Sequence, residues 1–205
     1  LTGLPNRRHV EDALEREFAA AERGRGLSVV IFDLDHFKRI NDKHGHAAGD
    51  QTLREFAKVL EANTRRENLS GRFGGEEFVA VLRDSDADAA QIFAQRVLDQ
   101  LRERRLPWGV QTVSAGIAHY QKGMGSYEVL LGEADRALYQ AKNGGRDLVC
   151  VAAPLAPSSR RAPAADPLTI DAAPVKARIW IVDDDESVRR LVKRMLVTHG
   201  HEMWD

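Results

Sequence analysis

Arg72-Phe73-Gly74-Gly75-Glu76-Glu77-Phe78 is the stretch that decides how the chain folds. It joins two apolar segments of strand length, residues 69–73 and 78–82, through a glycine pair expected to supply the positive φ angles of a tight hairpin. Two adjacent carboxylates therefore sit at a turn. Side chains alternate faces along a strand, so Glu76 and Glu77 are expected to point apart, one into a neighbouring site and the other acting from the rim or through its backbone. The plain alternative is a glycine hairpin with two solvated acids, and the rest of the chain has to separate the two.

Working outward towards the N-terminus, residues 28–34 carry the continuous apolar run Val29-Val30-Ile31-Phe32 and end in Asp33 and Asp35. Such a run fits a strand buried on both faces. Between it and the hairpin, residues 36–50 are polar and broken by glycine, a suitable ligand loop; a helix over residues 51–64 buries Leu53, Phe56, Ala57 and Leu60, with Asp50 as its expected N-cap. Before the run, Asn6 caps a helix over residues 7–22 whose apolar face is Val10, Leu14 and Phe18.

Beyond the hairpin, a helix opens at Asp86 or Ala87 and reaches residue 104, with Ile92, Val97 and Leu101 on its apolar side. Residues 110–120 alternate as a strand, Ser126 caps a helix to residue 142, Asn143-Gly144-Gly145 closes it, and residues 147–151 form a short last strand. A hairpin inside a βα-alternating order points to an α+β domain with a central, mainly antiparallel sheet flanked by helices, of the ferredoxin-like or polymerase-palm-like kind. It occupies residues 1–151.

Residues 152–175 hold five of the seven prolines and no apolar periodicity, as expected of a linker. Residues 176–205 then begin again with a buried strand ending in Asp183-Asp184-Asp185 and a helix. About 30 residues are too few for an independent core. With no starting methionine, no signal peptide and a pattern broken off at the end, the chain reads as a piece of a longer protein that carries control regions upstream.

The 205 residues are 43% hydrophobic with a formal charge of −1, which argues against nucleic acid as a partner. Cys150 is the only cysteine, so no internal disulfide forms. No apolar run approaches the roughly 20 residues of a membrane span. These features fit a cytoplasmic location.

If the strand ending in Asp33 neighbours the hairpin, Asp33, Glu76 and Glu77 make an oxygen-only cluster suited to Mg²⁺, with Mn²⁺ as the alternative, shared with substrate phosphates. Alone, Asp33 and Asp35 are equally well ordinary loop acids. Asp50 can accept from two donors at once, as guanine's edge requires, and Asn41 can donate and accept; they are equally readable as helix cap and turn residue. Lys142 and Arg146 bracket a glycine turn from which both reach one nucleotide's phosphates, or merely complement the helix C-terminus. His44 and His46 lack a third ligand and read better as surface or packing groups.

Taken together, residues 1–151 resemble the GGDEF-domain diguanylate cyclases. The likeness is carried by Leu1-Thr-Gly-Leu-Pro-Asn-Arg-Arg8, Asp33-Leu-Asp-His-Phe-Lys-Arg-Ile-Asn-Asp42, His44-Gly-His-Ala-Ala-Gly-Asp50, the Gly-Gly-Glu-Glu-Phe run, and Lys142 with Arg146. Five ordered motifs are specific where one would not be. The resemblance implies a Mg²⁺-dependent enzyme in which two facing domains, each holding a GTP, join them into cyclic di-GMP and release two pyrophosphates, so that a homodimer is needed for catalysis. By position, Asp33, the Leu34 carbonyl and Glu77 would hold the metal, with Glu76 helping with metal charge or removing the 3′-hydroxyl proton. Asn41 and Asp50 would read guanine; Phe37, Lys38 and His46 would line the pocket; Gly75 would admit phosphate to the backbone; Lys142 and Arg146 would grip the phosphates.

One position departs from the family. The Arg-x-x-Asp motif of the product-inhibition site reads Arg65-Arg66-Glu67-Asn68 here, an amide in place of the carboxylate. Feedback by cyclic di-GMP is expected to be weakened, with Arg65, Arg72 and Arg96 still available and the Asn68 oxygen accepting from a guanine edge. The other reading of the whole domain is a catalytically silent sensor of GTP or cyclic di-GMP. Residues 176–205 resemble the start of a response-regulator receiver domain, in which Asp183 and Asp184 match the metal-binding acids and the phosphoacceptor lies beyond Asp205.

Overall fold

The all-apolar strand of the sequence, β1 (Leu27–Leu34), is buried at every residue and lies at the centre of a five-stranded sheet. The computed structural model describes residues 1–154. β3 (Glu77–Arg83) and β4 (Val113–His119) flank β1, both antiparallel to it. β2 (Leu69–Gly74) pairs antiparallel with β3 at one edge and β5 (Val149–Val151) runs parallel to β4 at the other, giving the order β2-β3-β1-β4-β5. The expected α+β fold with a mainly antiparallel sheet is what the chain forms.

Both faces of the sheet are covered, which is why its central strands need no polar side. On one face, Val29, Ile31, Val79, Val81 and Ala118 pack against Val10, Leu14 and Phe18 of α1 (Arg7–Glu22) and Leu130 and Leu138 of α5 (Tyr127–Asn143). On the other, Val30, Phe32, Phe78 and Ile117 pack against Phe56 and Leu60 of α3 (His46–Asn63) and Phe93, Val97 and Leu101 of α4 (Ala87–Glu103). The Phe56 ring stands edge-on to Phe78, centroids 4.8 Å apart, and to Phe32 at 5.7 Å. Each such pair contributes about 0.5–1.5 kcal/mol beyond its burial. At Gly116 α5 comes so close that a Cβ would lie 2.1 Å from the Ala134 carbonyl oxygen, and glycine is what permits that approach.

The expected caps of two helices form. Asn6 accepts from the His9 amide at 3.1 Å and Asp86 from the Ala89 amide at 2.8 Å, each satisfying a donor with no partner inside its helix. Ser126 precedes α5 but makes no side-chain cap bond.

Several expectations are corrected. Residues 36–50 are not a loop: α2 (Phe37–His44) and the start of α3 occupy them, with a corner at Gly45, φ +82. Phe37 is the only buried residue of α2, so the polar sequence gave no apolar stripe to read. Asp50 consequently lies inside α3 and Gly45 holds the N-cap position. Neither Gly74 nor Gly75 has a left-handed φ. A register shift between Arg72 and Gly74 leaves Phe73 unmatched, and this irregularity bends the hairpin where positive φ was expected to do so.

Ile92 is 67% exposed, because α4 turns Ala90, Phe93, Ala94, Val97 and Leu98 inward and Ile92 falls off that arc. β4 begins at Val113, later than expected: the Gln111 side chain donates to the Asp35 and Thr112 carbonyls, and Val110 is exposed. β5 is limited to three residues. The expected linker and the receiver-like segment with Asp183 and Asp184 lie outside the described residues.

Candidate active site

The register of the sheet builds the centre of the site. Asp33 stands opposite Glu77 of β3 on one side and Ser114 of β4 on the other, and the Leu34 amide donates to the Glu76 carbonyl at 3.3 Å. Two segments more than forty positions apart in sequence thus meet at the end of β1. Odd-numbered residues of β1 and β3 face α1 and α5, so Asp33 and Glu77 share that face, and Lys142 from the last turn of α5 places its Nζ 2.8 Å from Asp33 Oδ2.

Glu76 lies in the turn itself, where strand alternation no longer applies. The Asp33 charge disfavours ionisation of its carboxylate, as it does that of Glu77. Burial pushes all three acids above their ordinary range. Mutual repulsion adds to it, through Asp33 on both glutamates and through Asp35 on Asp33, while Lys142 opposes it throughout. The cluster holds more negative charge than its single lysine neutralises.

Such a donor set, hard oxygens short of positive charge, fits Mg²⁺. Among the described residues no group of three His, Cys, Asp or Glu side chains is placed to hold a metal alone. An ion bound here would take one or two of these carboxylates and complete its shell with water and phosphate oxygens. Asp33, Glu76 and Glu77 are the candidates to supply those one or two ligands.

The expected base-reading residues come from two helices packed together. Phe37, 8% exposed, and Asn41 on α2 face Gly49 on α3, where a Cβ would lie 2.0 Å from Asn41 Oδ1 and 3.2 Å from Phe37 Cζ. Asp50 follows Gly49 and lies 3.8 Å from the Arg54 guanidinium. Lys38 and His46 are exposed, and Lys38 has no ion pair among the described residues. Gly75 is exposed with nothing within 4 Å of the place its Cβ would take. Arg146 is exposed just past α5, at φ +65, and its charge reaches Asp33.

The residues expected to bind product are partly engaged elsewhere. Asn68 Oδ1 accepts from the Arg83 amide at 3.0 Å, so this oxygen ties the start of β2 to the end of β3 instead of standing free for a guanine edge. Arg72 folds onto its own hairpin, Nε and Nη2 donating to the Gly75 carbonyl at 3.0 and 2.6 Å. Arg65 and Arg96 are exposed and unpaired among the described residues. Sequence reasoning missed Thr112, Ser114 and Asp147, which bond the Asp35 carboxylate, and Arg102, which bonds Asp147; Asp147 follows Gly144-Gly145-Arg146 directly, and that adjacency was the available signal.

A mainly antiparallel sheet between helical layers, with a buried carboxylate at the end of its central strand beside an acid-bearing hairpin, defines an α+β nucleotide-cyclase domain. The chain belongs to the GGDEF-domain family: the family model for "Diguanylate cyclase, GGDEF domain" matches residues 1–148. It is 39% identical over 157 residues to the probable diguanylate cyclase DgcC of Escherichia coli, covering 75% of this chain and 42% of that protein. The GGDEF domain of DgcB from Caulobacter crescentus, solved in complex with c-di-GMP, superposes with a TM-score of 0.72 at 34% identity, over 74% of this chain and 92% of that one. The active GGEEF domain of a diguanylate cyclase from Vibrio cholerae gives 0.70 at 31% identity, over 73% and 98%. The cyclic di-GMP phosphodiesterase PdeR of Escherichia coli is also similar, 33% identical over 160 residues, 75% of this chain and 24% of that protein. The chain spans only about a quarter to a half of the length of such curated relatives.

Proposed function

We propose that the domain binds Mg²⁺ and GTP and, as a facing homodimer, condenses two GTP into cyclic di-GMP with release of two pyrophosphates. The observation that carries this reading is the pairing of Asp33 with Glu77 across β1 and β3, with Lys142 2.8 Å from Asp33 and Glu76 joined to Leu34 through the backbone. An acid cluster short of positive charge, next to a lysine and an exposed arginine, is the arrangement a metal-bound triphosphate needs.

Bound Mg²⁺ would neutralise phosphate charge and acidify the attacking hydroxyl. Asp33, the Leu34 carbonyl, Glu76 and Glu77 would hold it. The chain's own residues do the rest. Asn41 and Asp50, set on adjacent helices, read the guanine edge; Phe37, Lys38 and His46 line the base and ribose. Lys142 and Arg146 offset the charge that develops as pyrophosphate leaves. Gly75, with no side chain, lets the triphosphate approach the hairpin backbone. Glu76, whose carbonyl in the hairpin turn accepts from the Leu34 amide, would take the 3′-hydroxyl proton or help balance the metal's charge. Each hydroxyl attacks the α-phosphate held by the opposite domain, so one domain holds half of the reactants. A GTP-consuming enzyme of this kind works in the cytoplasm, and no helix among the described residues is long and apolar enough to cross a membrane.

Similarity to PdeR favours a second reading, a domain that binds GTP or cyclic di-GMP without making product. Incubation of the purified chain with GTP and Mg²⁺ separates the two. Cyclic di-GMP, absent with Glu76→Ala, is the expected product. GTP binding without turnover at high protein concentration would establish the sensor.

A further inference from the structure

Directly after α5 the backbone takes three successive positive φ angles, Gly145 at +122, Arg146 at +65 and Asp147 at +51. Glycine adopts this freely, but each of the other two costs about 1 kcal/mol or more unless its surroundings enforce it. The enforcement is visible. The Arg146 amide closes the helix end on the Ala141 carbonyl at 3.0 Å. The Asp147 amide donates to Asp35 Oδ2 at 3.0 Å, and that carboxylate, 3% exposed, is held in turn by the Thr112 and Ser114 hydroxyls at 2.7 Å each. From the other side, Arg102 of α4 reaches across: Nε bonds both carboxylate oxygens of Asp147 at 2.9 Å and Nη2 its carbonyl at 3.1 Å, while Nη1 binds Asp99.

We propose that Asp35, Asp147 and Arg102 are positioning residues that fix the left-handed backbone at Arg146 and so aim its guanidinium at the substrate phosphates. This rests on reading Arg146 as a phosphate contact. Every link is a hydrogen bond between the molecule's own groups: the α4 arginine holds Asp147, Asp147 hangs from Asp35, and Asp35 lies two residues past Asp33 at the end of β1. The relay therefore ties the cation side of the site to the strand that carries the acid side. None of its three members needs to touch the nucleotide, and the Arg146 side chain, whose charge reaches Asp33, makes no hydrogen bond or ion pair among the described residues that would hold its aim instead.

The test is a set of variants of the whole chain, Arg102→Ala, Asp147→Asn and Asp35→Asn, each alone and combined with Arg146→Ala. Calorimetry with Mg²⁺ and GTP and the exchange rate of the Asp147 amide are the two readouts. Arg102→Ala is expected to weaken GTP binding about tenfold in the parent and less than twofold when Arg146 is already alanine, because neighbouring groups acting through one residue do not add. Arg102→Lys, which keeps the charge but not the fork, should recover only part of the loss. A loss of equal size in both backgrounds, or none in either, overturns the proposal. The Asp147 amide is expected to exchange at least tenfold faster in Asp35→Asn and in Arg102→Ala. Unchanged exchange overturns the proposal as well, even if the parent chain binds no GTP; that last result would instead defeat the enzymatic reading.

Discussion

Lys142 Nζ lies 2.8 Å from Asp33 Oδ2 and joins the last turn of α5 to the end of the central strand. The Asp33 side chain is 8% exposed and that of Lys142 33%, so the acid has little access to water and leans on the lysine for compensation. Removing one partner of such a pair costs more than the pair contributes, because the other charge stays buried. Lys142→Ala is expected to lower stability by about 1–3 kcal/mol, less than for a fully buried pair because the lysine is partly solvated. Millimolar Mg²⁺ should restore part of that loss, and should raise the melting temperature of the variant more than that of the parent. Thermal melts with and without Mg²⁺ measure both effects. An equal shift in the two proteins would mean that the cation does not enter this cluster.

The neighbouring acids carry the opposite cost. Glu77 is held above its ordinary range by burial first and by Asp33 second, so its ionised form destabilises the fold in the absence of a divalent ion. Glu77→Gln removes the repulsion while keeping the shape. We expect the metal-free variant to melt slightly higher than the parent, and to form cyclic di-GMP at least about a hundredfold more slowly. Melting curves in EDTA and a product assay check the two halves. A variant that loses stability and activity together would make Glu77 a structural residue.

Two glycines separate fold from function. At Gly75 no heavy atom lies within 4 Å of an added Cβ and φ is not left-handed, so Gly75→Ala should leave stability within about 0.5 kcal/mol. It should nevertheless weaken GTP binding severalfold if, as proposed, that open space admits the phosphates. At Gly49 the added methyl would meet Asn41 Oδ1 at 2.0 Å, the movable end of a side chain, so Gly49→Ala should fold with Asn41 displaced. Its signature is lost discrimination between GTP and ATP rather than lost stability. Competition binding with the two nucleotides, beside a melt, distinguishes the outcomes.

The outer frame of this domain was readable from the sequence because its signals are local. The Asn6 and Asp86 caps, the run at residues 29–32 and the Phe78 strand each announce themselves within a few residues, and the structure follows them. The site was half readable for the same reason. Asp33 and the two glutamates could be named, but their meeting depends on β1 pairing with β3 across the sheet, a long-range fact. What stayed hidden was polar and non-periodic: α2 buries one residue, and Arg102 gains its meaning only from Asp147, a partner 45 positions away in another element. Hydrophobic pattern has nothing to say about either. The Gly-Gly expectation failed because a register shift at Phe73 bends the hairpin instead.

Asn68 offers the last prediction. Its Oδ1 accepts from the Arg83 amide at 3.0 Å, so the side chain already has a structural bond at the position where the resemblance implies an aspartate. An aspartate placed there keeps an acceptor for Arg83 and adds a charge within one turn of Arg65, whose carbonyl accepts from the Asn68 amide at 3.0 Å. Charge-assisted contacts to guanine's paired donors are about twice as strong as neutral ones. Asn68→Asp should therefore leave stability nearly unchanged and tighten cyclic di-GMP binding by about tenfold or more, with inhibition appearing at correspondingly lower product concentration. Arg65→Ala in the same background should abolish the gain. Calorimetry with cyclic di-GMP on the three proteins decides it: affinity that is already tight in the parent, or unmoved by the aspartate, would show that the amide at this position does not set the strength of feedback.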